Sequence, residues 1–219
     1  MKADDLILVI DMQNVYLPGS PWACPGMPGA ADNIRRIIAF KEAGGHSAAA
    51  RSISSTASSI SSAASVSGAA ASGAAARVVF TRFIADPDAS YVWNDYNTEN
   101  AAISNDPWMN ALVSSLREEA SRYPVLDKSA YSAFSIPALR TAALDTCARG
   151  GRIVLTGVVA DCCVLSTAFA GIDLGCKLVY LPDACAALNE TSEKATAAVL
   201  SGLSPLHVLI MPTAGYLAE

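Results

Sequence analysis

Short apolar runs rich in Val, Ile and Leu recur along the chain: "LILVID" at 6–11, "RVVFTRF" at 77–83, "YPVLDK" at 123–128, "RIVLTGVV" at 152–159, "CKLVYL" at 176–181 and "PLHVLI" at 205–210. Their hydrophobicity is continuous rather than alternating, which is what strands show when both faces are covered. Stretches with helical spacing lie between them, near 29–43, 107–120, 136–149, 161–174 and 190–203. Strand-helix alternation implies right-handed crossovers. The pattern predicts an α/β fold, a three-layer α/β/α sandwich with a six-stranded, mostly parallel, doubly wound sheet. A chain of 219 residues fits one such domain, 1–219.

One segment breaks the pattern. From 47 to 76 the chain is dominated by Ser and Ala, with Arg51 its only charge and Ile53, Ile60 and Val66 its only larger apolar side chains. So little burial does not offset the entropy of ordering the backbone. The segment reads as a low-complexity insertion between the first crossover helix and the second strand.

Composition removes several classes of function. Hydrophobic residues are 52% of the chain, yet no apolar run reaches the roughly 18 residues that would span a bilayer, so no membrane partner is expected. The start "MKADDLILVIDMQ" lacks the basic region and cleavage site of a secretory signal. A cytoplasmic location follows as an expectation, with the six cysteines as reduced thiols. Fifteen basic against twenty acidic residues give a net charge of -5, which offers no electrostatic footprint for nucleic acid.

In open α/β sheets the ligand site lies beyond the carboxyl ends of the strands. Asp11 ends the first strand, Lys128 ends the third, and Asp161-Cys162-Cys163 follows the fourth. Asp161 is a good N-cap type for a helix that Gly175 would stop. Both cysteines then fall in the first turn, where the helix dipole favours a thiolate and lowers the thiol pKa. Helix phase aligns Cys162 with Leu165 and Phe169, an apolar stripe, and Cys163 with Thr167, Ala170 and Gly171, a small-residue face with room for a ligand.

Each residue also has a plainer explanation. Most free cysteines are small buried hydrophobes, Asp11 suits a turn beside Gln13 and Asn14, and lysines at strand ends are commonly solvated. Cys24, Cys147, Cys176 and Cys185 are assigned to packing. What raises Asp11, Lys128 and the cysteine corner is their convergence on one sheet edge, where carboxylate, ammonium and thiol make an activated-nucleophile set. His46 lies in a Gly-Gly junction and His207 in an apolar strand, so neither suggests a Cys-His dyad or a paired-histidine metal site. The expected site has no metal and no cofactor.

"LILVIDMQNVY", "VVFTRF", "LDKSAYSAFS" and above all "LTGVVADCCVLSTAFAGIDLGCKLVYLPDA" closely resemble the isochorismatase-like cysteine hydrolases, which include nicotinamidases, N-carbamoylsarcosine amidohydrolases and ureidoacrylate amidohydrolases. The likeness runs from about residue 5 to 43 and from 77 to the end. It implies a catalytic triad of Asp11, Lys128 and Cys163, selecting Cys163 over Cys162 because the family nucleophile follows Asp-x and precedes Val. It also implies a non-proline cis peptide between Val158 and Val159, and an oxyanion hole made by the N–H groups of Val159 and Cys163.

The resemblance further implies hydrolysis of an amide or ureido C–N bond of a small molecule through a thioester. Nicotinamidases carry a histidine-containing metal site after the second strand, whereas "TRFIADPDASYVWNDYN" has no histidine, which disfavours that activity. Isochorismate-type vinyl-ether hydrolases can lack the nucleophilic Cys that this chain keeps; they remain the alternative, beside a catalytically silent scaffold. A phospho-acceptor signalling domain also uses Asp and Lys at strand ends, but "VIDMQN" lacks the acidic pair it needs. Gln13, Phe83, Trp93, Tyr96, Tyr131 and Phe134 are the candidate substrate-contacting residues, the aromatics suiting a small, partly planar substrate. Self-association as a dimer or tetramer is expected from the resemblance alone.

Overall fold

The computed structural model describes residue 1 and residues 4–48 and 78–219, side chains from 44 to 48 excepted. Nearly all of the Ser/Ala-rich segment predicted at 47–76 therefore lies outside the described residues. In chain order the elements are β1 (Leu6–Ile10), α1 (Met27–Ala48), β2 (Val78–Phe83), α2 (Val92–Glu99), α3 (Ala101–Ser104), α4 (Pro107–Asn110), α5 (Arg117–Arg122), β3 (Val125–Lys128), α6 (Pro137–Ala148), β4 (Ile153–Val158), α7 (Leu165–Asp173), β5 (Leu178–Ala186), α8 (Glu190–Ser201), β6 (Val208–Ile210) and α9 (Thr213–Ala218).

The six strands form one sheet in the order β3-β2-β1-β4-β5-β6. Every pairing is parallel. All five residues of β1 and all six of β4 are buried. Successive strand side chains point to opposite faces, so complete burial means that both faces are covered, as the unbroken apolar runs predict. Strand order reverses between β1 and β4, which is where a doubly wound sheet opens its crevice.

Two glycines let the backbones around β1 and β4 meet closely, one at each end of the strands. At Gly157 a Cβ would run into the Ile10 carbonyl oxygen, and φ is +105°. At Gly151, just before β4, a Cβ would strike the Asp4 carbonyl. Gly157 thereby presses the end of β1 against the end of β4 at the point where the chemistry is expected.

The predicted helix at 107–120 is broken. It holds α4, an extended link, a 3-10 turn at Ser114–Leu116 and then α5. The link is claimed by the chain beyond β1: Val113 N–H donates to the Met12 carbonyl at 2.9 Å, Asn14 N–H donates to the Ala111 carbonyl at 2.9 Å, and Gln13 bridges Leu112. These tertiary hydrogen bonds override helical spacing. β6 starts at Val208, leaving His207 exposed before it rather than inside the strand.

Candidate active site

Asp11 is the first residue past β1, and its backbone is bent by a φ of 50°. This left-handed conformation is uncommon outside glycine and is best tolerated by Asp and Asn. Thr81 of β2 stabilises the bend. The Asp11 N–H donates to the Thr81 carbonyl at 3.1 Å, and the Thr81 hydroxyl donates to Asp11 Oδ1 at 2.8 Å. The second carboxylate oxygen, Oδ2, has Lys128 Nζ 2.7 Å away as its ion-pair partner, and no aligned hydrogen bond from a described residue reaches it.

Lys128 ends β3, two strands from β1. Strands lie about 4.8 Å apart, so only a long side chain crosses β2 to reach Asp11. On the way the ammonium passes 5.3 Å from the centre of the Phe83 ring. It donates to the Ala130 carbonyl at 3.0 Å and to Cys163 Sγ at 3.5 Å. Both side chains of the ion pair are fully buried. Burial works against the Lys128 charge, but Asp11 and then Cys163 outweigh it and hold its pKa above the usual lysine value.

Cys163 comes from the corner after β4. The Val158–Val159 peptide is cis, as the resemblance implies, and the next five residues, Ala160–Val164, form a π-helical turn that leads into α7. Within it Val164 N–H donates to the Val159 carbonyl at 3.1 Å. The Thr167 hydroxyl fixes the turn from below: it donates to the Cys163 carbonyl at 2.7 Å and accepts the Ala133 N–H at 2.9 Å. One hydroxyl thus joins the cysteine turn to the segment that follows β3.

Two expectations about this corner are corrected. Asp161 is exposed and makes no capping bond, because the turn starts from Val159 and is wider than an ordinary α-helical first turn. The Cys163 thiol is not lowered. Burial pushes it well above the usual thiol value and the Asp11 charge adds to this, with Lys128 opposing. Only 3% of this residue is exposed, so desolvation is the leading cause of the rise. Cys162 is half-buried and faces Tyr131; its thiol is raised by burial and by Asp161.

Phe83, Trp93, Tyr96 and Tyr131 form a connected set of rings. Phe83 meets Trp93 and Tyr96 at 6.0 and 6.1 Å between centroids, Trp93 meets Tyr96 at 5.6 Å, and Trp93 meets Tyr131 at 5.0 Å. Trp22 and, behind it, Tyr16 extend the wall at 6.2 and 5.8 Å. These two escape the sequence reading, although Tyr16 sits in the "DMQNVY" stretch. Its hydroxyl lies near enough to Cys163 and Asp11 for their charges to add to the effect of burial, which raises its pKa far above the usual phenol value.

Two candidate substrate contacts are placed differently. Gln13 is buried with its amide bound to backbone: Nε2 donates to the Phe83 and Asn110 carbonyls at 3.1 and 3.0 Å, and Oε1 accepts the Phe83 N–H at 2.8 Å. It positions the end of β2 and hence Phe83. Phe134 is also buried, wedged under α7 where a Cβ on Gly171 would stand 3.1 Å from its Cε2. That ring belongs to the core beneath the helix.

Among the described residues the segment after β2 offers no clustered donor set for a metal. After β2, Asp86 uses a carboxylate oxygen to accept the Asp88 N–H at 2.9 Å. Among the described residues no group of three or more His, Cys, Asp and Glu side chains is arranged to hold an ion. His207 precedes β6, at the sheet end opposite to Asp11. Among the described residues, too, no helix is long and apolar enough to cross a membrane.

Comparison with known proteins bears on this geometry. The family model described as the isochorismatase domain matches residues 5–206. A cysteine hydrolase from Pseudomonas syringae pv. phaseolicola 1448A superposes with a TM-score of 0.71 at 16% identity, covering 100% of this chain and 93% of that one. An isochorismatase family protein from Desulfovibrio vulgaris gives 0.68 at 21% identity over 99% of both chains. The pyrazinamidase of Pyrococcus horikoshii, solved in complex with zinc, gives 0.59 at 18% identity over 95% and 99%. A search of curated proteins finds no match.

Proposed function

The chain belongs to the isochorismatase family, and on that premise we propose that it is a cysteine hydrolase that cleaves an amide or ureido C–N bond of a small molecule through a thioester on Cys163. The observation that carries this reading is the buried contact of Lys128 with both Asp11 Oδ2 at 2.7 Å and Cys163 Sγ at 3.5 Å.

The resting site holds a neutral thiol, a carboxylate and an ammonium. When substrate arrives, Asp11 Oδ2, which has no aligned hydrogen bond of its own, takes the proton from Cys163. The negative charge then moves from one Lys128 partner to the other. Neither state buries an unpaired charge, so the transfer avoids the several kcal/mol that an isolated ion would cost there.

The thiolate adds to the carbonyl carbon, and the backbone N–H groups of Val159 and Cys163 hold the oxyanion. Asp11 returns its proton to the departing nitrogen as the C–N bond breaks. Water deprotonated by Asp11 then opens the thioester and releases the acid. The rings of Phe83, Trp93, Tyr96 and Tyr131 suit a flat acyl group.

Intact-protein mass spectrometry after incubation with a panel of small amides tests the reading. An acyl adduct mapped to Cys163, absent in Cys163→Ala, is the expected result. Full activity of Cys163→Ala on isochorismate, with no adduct from any amide, would transfer the assignment to vinyl-ether hydrolysis.

A further inference from the structure

At the sheet end opposite to Asp11, two other cysteines meet. Cys147 lies in the last turn of α6, Cys176 follows the turn that ends α7, and their sulfurs are in direct contact. Backbone hydrogen bonds hold both sides. Cys176 N–H donates to the Gly171 carbonyl at 3.0 Å, and Gly150 N–H donates to the Cys147 carbonyl at 2.9 Å. The two sulfurs are thus neighbours, as a sulfur-sulfur bond of about 2.05 Å requires.

The pair is also reachable. Cys147 is half-buried and lines a cavity of about 480 Å³ together with Gly150, Gly151, Arg152, Gly175 and Leu209. That space admits a small reagent to one of the two sulfurs, while Cys176 stays buried behind it. Packing alone explains a cysteine against an aliphatic wall. It does not call for two thiols in mutual contact at the mouth of a cavity.

We propose that Cys147 and Cys176 are a reversible disulfide site, separate from the hydrolytic thiol and closed by exchange with a low-molecular-weight disulfide that enters this cavity. Cys147 loses its proton and attacks one sulfur of the reagent, whose S–S bond breaks and releases a first small thiolate. Cys176 then gives up its proton and attacks the Cys147 sulfur, forming the protein cross-link and releasing a second small thiolate. The two protons pass to the two released thiolates, so two protein thiols are oxidised and one reagent disulfide is reduced. Cys176 is buried behind half-buried Cys147, which makes it the second thiol to react. The cross-link ties the end of α6 to the start of β5 and leaves Asp11, Lys128 and Cys163 as they are.

The test uses the full chain incubated with oxidised glutathione, followed by alkylation of remaining thiols and a non-reducing peptide map. The expected product is a peptide pair joined through Cys147 and Cys176 that dithiothreitol separates, with Cys176→Ser instead retaining glutathione on Cys147. The cross-linked protein should melt roughly 5–10 °C higher than the reduced one. Alkylation of Cys147 and Cys176 as separate thiols, or glutathione that persists on Cys147 of the unaltered chain, would overturn the proposal. The map of the unaltered chain decides this even if a variant folds poorly.

Discussion

Gly157 lies against Ile10 so closely that a single added methyl would occupy the place of the Ile10 carbonyl oxygen. Ile10 is the last residue of β1, and Asp11 follows it. The glycine therefore sets how near the carboxylate comes to the corner that carries Cys163. Gly157→Ala should destabilise the fold by about 4 kcal/mol, from the collision together with the positive φ, and should remove activity even where the protein still folds. Urea denaturation and activity on a responsive amide check this, and an unchanged midpoint would show that β1 and β4 are not so tightly joined.

The ion pair gives a second expectation. Lys128→Met keeps much of the stem's packing but leaves the Asp11 carboxylate buried without its counter-charge, at a cost of about 3–5 kcal/mol. Lys128→Met with Asp11→Asn removes both charges and should recover part of that stability without recovering hydrolysis. A double-mutant cycle on unfolding free energies measures the coupling; additive losses would mean that the two groups do not act as a pair.

What could be read in advance is what has a local or periodic signature. The central strands β1 and β4 announce themselves because each is buried on both faces, and the ends of β1, β3 and β4 carry Asp11, Lys128 and the cysteine corner in plain view. The rest depends on contacts without sequence periodicity. Val113 leaves its helix because Met12, about a hundred residues earlier, offers it a carbonyl. Gln13 has the composition of a ligand-binding residue, and only the positions of the Phe83 and Asn110 backbones show that its amide is fully engaged. The Cys163 thiol shows the same limit: its place after β4 is legible, but its burial and the nearby Asp11 charge, which raise its pKa, are not.

Alkaline titration follows from the buried thiols. Cys24, raised by burial and then by the charges of Asp161 and Glu193, and Cys176, raised by burial and its bond with Cys147, both move from the usual 9.0 to about 12. The unfolded chain releases these protons near pH 9 while the native chain keeps them. Their contribution to stability is thus complete below pH 9 and is lost as pH rises toward 12. Lys128, also raised from 10.5, acts in the same direction at the upper end. Urea midpoints should stay level to about pH 8 and fall beyond 9, with a shallower fall in Cys24→Ala. A flat profile to pH 11 would contradict the assignment.

The neighbouring cysteines should separate cleanly. Cys162 faces Tyr131 and has no hydrogen bond from Lys128, whereas Cys163 has one. Cys162→Ala should keep kcat within about threefold, and Cys163→Ala should lose about 10³-fold or more, as a covalent mechanism requires. Steady-state kinetics on any amide that yields an adduct provides the comparison. Equal losses in the two variants would assign the nucleophile to neither.

Thr167 puts the connection between scaffold and nucleophile to the test. Among the described residues its hydroxyl is the only side-chain group that bonds both the Cys163 carbonyl and the Ala133 N–H, and it is fully buried. Thr167→Val keeps the shape and removes both bonds, stranding a donor and an acceptor at a cost of about 1–3 kcal/mol. Thr167→Ser keeps the hydroxyl and should restore most of that loss. If the bonds also fix where Cys163 sits relative to Lys128, the valine variant should show a lowered rate of acylation with substrate affinity little changed, because binding rests on the rings while attack rests on the turn. Single-turnover kinetics separates the two steps. A valine variant that is less stable but acylates at the original rate would restrict Thr167 to holding the fold, and serine should then rescue stability alone.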